Sequence, residues 1–206
     1  MPNQLVTPYP SPWLRTKSVH VDVFGEDIKQ IVIDMLTTME VANGLGISAV
    51  QVNIGARAFV VHCQVAKTER HVEFINPVLL ASEGERICTE GCLSLPGCWV
   101  KVKRATKVKI RAEDIEGKYF IVDAEGDYAQ VLQHELDHLD GVLIVDQAGP
   151  VKRGLIHRKL KKHVDQFIDY SKPAWVQFDK KVTHEVHPDD HEAINQSDGG
   201  SESVHT

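Results

Sequence analysis

The sequence predicts an α+β fold, with antiparallel β-sheets packed around a central helix and a further helix near each end of the folded region. Three observations predict it. Runs rich in β-branched residues crowd the middle of the chain, and one of them, Lys107-Val108-Lys109-Ile110-Arg111, alternates strictly as a half-buried strand does. Three other segments repeat apolar residues with a 3.6-residue period. Gly117 punctuates two adjacent strand runs as a hairpin would.

Taken in order, residues 1 to about 24 are rich in Pro and read as an extended segment with a turn at Pro10-Ser11-Pro12. The first helix follows from Ile28, Ile31, Val32, Met35, Leu36, Met39 and Ala42, with acidic Glu26 and Asp27 at its start and Asn43-Gly44 as its stop. Strands are predicted over Arg57–Cys63, Val72–Leu80, Trp99–Val102, Lys107–Ala112 and Tyr119–Val122. A second helix from about Tyr128 to Leu139 places Tyr128, Leu132, Leu136 and Leu139 on one face and stops at Gly141. Val142–Val145 reads as a short strand. A third helix over about Val151–Tyr170 carries Leu155, Ile156, Leu160, Val164, Phe167 and Ile168, with Lys159, Lys161 and Lys162 on a solvated face. Beyond Pro173 the pattern fades. The chain is thus divided into a domain over residues 1–170 and an acidic tail over 171–206, expected to be disordered.

Composition narrows the function classes. The 206 residues include 23 Lys or Arg and 29 Asp or Glu, for a net charge of −6. The tail alone holds three Lys against seven acidic residues, so the body is nearly neutral, and no extended basic footprint for nucleic acid is evident. No apolar run approaches the roughly 18 residues a membrane span requires, and the first residues lack the pattern of a signal or transit segment. The expected location is the cytoplasm, where Cys63, Cys88, Cys92 and Cys98 stay reduced. Cys63, in an apolar strand, is expected in the core.

The strongest chemical signal is His134-Glu135-Leu136-Asp137-His138. Two His at i and i+4 project from adjacent turns of one helix face and can hold one metal ion, while the Glu can approach a water without being a ligand. A third protein ligand is needed. Downstream, His157 and His163 lie on a Lys-rich helix; upstream, Cys92 sits in a Gly/Pro-flanked turn, Glu90-Gly91-Cys92-Leu93-Ser94-Leu95-Pro96-Gly97. A zinc site built from Cys88, Cys92 and Cys98 is disfavoured by the lack of a C-x-x-C spacing. Asp137 is expected either to orient a group near the metal or to make a local contact.

Three ordered motifs resemble those of peptide deformylases: Gly44-Leu45-Gly46-Ile47-Ser48-Ala49-Val50-Gln51, Glu90-Gly91-Cys92-Leu93-Ser94, and Gln133-His134-Glu135-Leu136-Asp137-His138. The resemblance runs from about Leu5 to Tyr170. It implies removal of the formyl group from the N-terminal formyl-methionine of newly made polypeptides, with release of formate. It implies Cys92, His134 and His138 as ligands of one divalent ion, Fe²⁺ first, with Zn²⁺, Ni²⁺ or Co²⁺ as substitutes. Glu135 becomes the acid/base, and the Gln51 amide and Leu93 N–H become donors to the formyl oxygen. Gly44, Gly46 and Gly91 would let a peptide backbone approach, and Cys88 and Val131 would line the methionine pocket. Nascent formylated chains are the implied partners, with the ribosome near its exit tunnel as a further one and no membrane. Four positions depart from the pattern: Ser48 in place of Ala, Trp99 in place of an Arg that grips the peptide, and Asp127 and Tyr128 in place of aliphatic residues. A peptide-bond-cleaving metalloenzyme would instead draw its third ligand from downstream, and a binding-only relative would have lost Glu135 or Gln51.

Overall fold

The computed structural model describes residues 6–167, with side chains to residue 161, so the tail lies outside the described residues. Among the described residues, seven strands form two antiparallel sheets. The larger has the order β1 (Gly46–Ser48), β2 (Ala58–Val61), β3 (Val72–Glu83), β6 (Lys107–Glu113), β7 (Tyr119–Glu125); β4 (Arg86–Glu90) pairs with β5 (Val100–Arg104) in the smaller. With its helices, this is the α+β class the sequence predicts.

The side-chain pattern of each strand follows from what covers it. Along β2, Ala58 and Val60 join one core with α1 (Glu26–Val41), while Phe59 and Val61 join another with α3 (Asp127–Leu139). Burial on both faces explains why this strand is apolar at every position. In β6 only Val108, Ile110 and Ala112 face the α3 core; Lys107 and Lys109 point away and pair with Glu125 and Asp123 of β7. A third core joins Val100 and Val102 of β5 to Leu95, Leu143, Ile144 and Val145, and to Ile156 and Leu160 of α4 (Pro150–Phe167). Fully burying one such aliphatic side chain is worth about 1.5–3 kcal/mol.

Several expectations are corrected. The stop of α1 uses Asn43, at φ 51°, rather than Gly44, whose N–H returns to the Met39 carbonyl at 2.8 Å. Val142–Val145 is not a strand: Ile144–Gln147 forms a 3-10 turn. Pro12–Arg15 forms another, which buries Leu14 and pairs Arg15 with Asp146. The strand expected to reach Cys63 ends at Val61, and His62 caps the short α2 (Cys63–Ala66), leaving Cys63 half-buried rather than in the core. Leu155 is exposed, whereas Ile156 and Leu160 are buried; Lys159 donates to the Gly97 carbonyl at 3.0 Å. The side chains of Lys162, Val164 and Phe167, and Ile168 itself, lie outside what the structure describes. Strands β1 and β4 were not anticipated. Among the described residues, no helix is long and apolar enough to cross a membrane.

Candidate metal centre

α3 presents its apolar residues Ala129, Leu132, Leu136 and Leu139 to the larger sheet, and that docking fixes the helix's rotation. His134, Glu135 and His138 then fall together, with the two imidazole centroids 5.0 Å apart. Cys92 reaches them from the turn after β4, which is closed by Leu95 N–H to the Cys92 carbonyl and tied to the N-terminal segment by Tyr9 N–H to the Ser94 carbonyl. Cys92 Sγ lies 3.2 Å from His138 Nε2, and donor atoms of Cys92, His134 and His138 all lie within 4.8 Å of one another.

These residues fit a divalent metal ion. His134 donates its Nδ1–H to Glu90 Oε2 at 2.9 Å, so Nε2 is the nitrogen left to meet a metal ion. Glu90 is in turn held on both oxygens by Arg104, through Nε at 2.8 Å and Nη2 at 2.9 Å, and Arg104 Nη1 meets Asp137 Oδ2 at 2.6 Å. This Asp137–Arg104–Glu90–His134 chain is the outer support that imidazole ligands of metals commonly have. Burial opposes the Glu90 charge, yet Arg104 and His134 hold its carboxyl down to about 2. Burial would also push His134 down, but Cys92 and Glu90 take it well above the usual imidazole range. His138 is held well below that range by burial and by His134, and among the described residues its Nδ1 has no hydrogen-bond partner.

Glu135 is 3% exposed. Its Oε2 accepts a hydrogen bond from Ser48 Oγ at 2.6 Å, so Ser48 orients the carboxylate. Burial raises the Glu135 carboxyl above the ordinary range, with His134 and Ser48 pulling the other way. The Gln51 orientation is likewise set by its partners. Its Oε1 accepts the Ser48 N–H at 2.9 Å, which leaves Nε2 facing Ser94 Oγ at 3.2 Å and Cys92 Sγ at 3.5 Å.

Gly46 shows a constraint the sequence did not reveal. A Cβ there would lie 2.7 Å from Glu135 Oε1, so the room left by the missing side chain is filled by the carboxylate. Gly46→Ala is expected to displace that carboxylate by up to about an ångström and to lower kcat about 100-fold, since misplacement on that scale costs that much. Turnover, with metal content measured in parallel, checks it: loss of metal along with rate would place the damage at the metal-binding side chains instead. A Cβ at Gly91 would similarly meet the Trp99 ring at 3.1 Å, and Trp99 is otherwise 63% exposed beside the cysteine turn.

The profile described as Polypeptide deformylase matches residues 4–154. The chain belongs to the polypeptide deformylase family. It is 42% identical over 158 residues to the peptide deformylase of Chromobacterium violaceum, spanning 77% of this chain and 94% of that one. Among solved structures, a peptide deformylase from Legionella pneumophila superposes with a TM-score of 0.73 at 37% identity, over 78% of this chain and 95% of that one. One from Plasmodium falciparum does so with a TM-score of 0.72 at 33% identity, over 78% and 97%. Deformylases are metal-dependent hydrolases that remove the N-terminal formyl group from nascent polypeptides, and this chain is one of them.

The remaining candidates sort by position. His157 is on the exposed side of α4, its Nδ1 3.4 Å from the Tyr9 hydroxyl, and not with His134 and His138. The side chain of His163 lies outside the described residues. Cys98 packs in the α4 core, and all four cysteines are free thiols. Cys88 is buried on β4 opposite Val102, and Val131 is half-buried on α3. Asp127 is exposed and paired with Arg86 at 2.8 Å, while Tyr128 packs into the α3 core. Sequence reasoning gave no role to Glu90, Arg104 or Ser48.

Proposed function

We propose that Cys92, His134 and His138 hold the metal of this deformylase, that the ion is Fe²⁺, and that Glu135 is its acid/base. The observation that carries the reading is the convergence of one thiol and two imidazoles beside a buried carboxylate that is not itself among the three donors. An ion held there supplies Lewis-acid polarisation of a carbonyl and acidification of water. The donor set also accommodates Zn²⁺, Ni²⁺ or Co²⁺; the preference for iron rests on the family resemblance.

Glu135 accepts the proton of the attacking water and delivers it to the departing amine nitrogen, so that formyl-methionyl peptide and water become free amine and formate. Gln51 Nε2, held toward Cys92, and the Leu93 N–H donate to the formyl oxygen as it gains negative charge. β1 is an edge strand, so a peptide can extend the sheet beside Gly44 and Gly46, with Gly91 across from it. Cys88 and Val131 line the pocket for the methionine side chain. The exposed basic positions of α4, including Lys152, Arg158 and Lys161, suit contact with the ribosome as nascent chains emerge in the cytoplasm.

The test is formate release from formyl-Met-Ala-Ser by protein purified without oxygen, compared after reconstitution with Fe²⁺ or Zn²⁺. Faster turnover by the iron form is expected. Equal rates at equal occupancy would overturn the assignment of iron, and metal binding without formate would overturn the assignment of the site.

A further inference from the structure

A second group of donors lies outside this site, at the turn joining β2 to β3. The antiparallel register ends with Val61 opposite Val72, so the next residues on each strand, His62 and His71, are brought face to face, with ring centroids 4.6 Å apart. Cys63 follows His62 at the start of α2, and donor atoms of His62, Cys63 and His71 all lie within 4.8 Å of one another. The residue types, one thiol and two imidazoles, are those of the Cys92 group.

The hydrogen bonds fix both tautomers. His62 Nδ1 accepts from the Gln64 N–H at 3.2 Å, and His71 Nδ1 accepts from the Cys63 N–H at 3.1 Å. Each Nδ1 therefore carries a lone pair, and each ring proton is on Nε2. His71 Nε2–H donates to Glu40 Oε1 at 2.9 Å, from the last turns of α1. A carboxylate behind the far nitrogen of an imidazole is the arrangement that orients and strengthens a metal-ligating histidine. A hollow of about 400 Å³, lined by Glu40, Asn43, Gly44, Leu45, His62 and Gln64, reaches the cluster at His62.

We infer that His62, Cys63 and His71 form a second binding site for a divalent transition-metal ion of the zinc and cobalt type, with Glu40 supporting His71. Two imidazoles and one thiolate suit such ions, at bond lengths of about 2.0–2.3 Å. The thiol proton is released as the ion binds, and the two backbone N–H groups now paired with the rings pass to water. The site is tied to the Gly44–Gly46 turn, because the His62 N–H donates to the Leu45 carbonyl at 2.9 Å. An ion here would sit near that turn but outside the catalytic centre.

The test is a Co²⁺ titration of the full-length, metal-stripped protein, followed by its sulfur-to-cobalt charge-transfer absorption. That band reports thiolate ligation only, so the histidines of the tail do not contribute to it. Two thiolate-bound equivalents are expected in the native protein, and one in Cys63→Ser and in His71→Asn. Formate release by the cobalt-loaded variants is expected to match the native protein, which shows that they fold and that the first equivalent occupies the catalytic centre. A single equivalent in the native protein, or a second that persists in Cys63→Ser, would overturn the inference while leaving the catalytic reading untouched.

Discussion

Glu135→Gln is expected to lower formate release by about 10²–10⁴-fold, the range that a positioned general acid/base contributes, while the bound metal stays in place. The two effects separate because Glu135 is not among the three donors. One of its oxygens fills the space over Gly46 and the other accepts from Ser48. Glutamine has the same shape, and its amide oxygen can still take the Ser48 hydrogen bond, but it cannot accept the proton that water must lose. Replacing a buried carboxylate by a neutral amide also relieves its desolvation, so the variant should melt no lower than the native protein. Steady-state formate release, elemental analysis and a melting curve on one preparation decide the matter. A rate within threefold of native would place the base elsewhere.

Arg104→Met is expected to cost about 3–5 kcal/mol of stability, because it leaves buried charge without its partner. The Glu90 side chain is only 3% exposed and loses both of its guanidinium bonds; Asp137 loses one as well. For a chain of this size that corresponds to a fall in Tm of about 6–20 °C. The triple variant Arg104→Met, Glu90→Gln, Asp137→Asn should recover much of this, since the stranded charges are gone and the amide oxygen that replaces the Glu90 carboxylate can still accept from His134. Thermal melts of the single and triple variants measure it. A single variant that melts within about 2 °C of native would show that the charges find other partners.

Much of the site was legible because its information is local. The spacing of His134 and His138 and the apolar face of Leu132, Leu136 and Leu139 lie within one helix, and one period reads both. Glu90 and Arg104 were missed for the opposite reason. In β4 the usual polarity is inverted: Ile87 is 65% exposed while Glu90 is buried, so a search for apolar alternation passes over the strand. Arg104 did leave a signal. It continues the inward-facing set of Val100 and Val102, and an arginine at such a position demands carboxylates within reach. The short apolar run Val142–Val145 carried no period that distinguishes a strand from a 3-10 turn. Cys63 looked like core because the strand before it is apolar, yet nothing in the residues shows that the strand stops two positions earlier.

The strand order also bears on how the enzyme comes into being. β3 pairs with β6, and the stretch between them, which carries β4, Cys92 and β5, forms a separate excursion that folds into its own small sheet. Cys92 and His138 are 46 residues apart in the chain, so the thiol leaves the ribosome well before the second imidazole does. Loop closure over that distance must precede any shared coordination. On the proposed ligand set, catalytic competence is acquired only once α3 has emerged and docked, and a chain cut short before α3 has no means of acting on its neighbours.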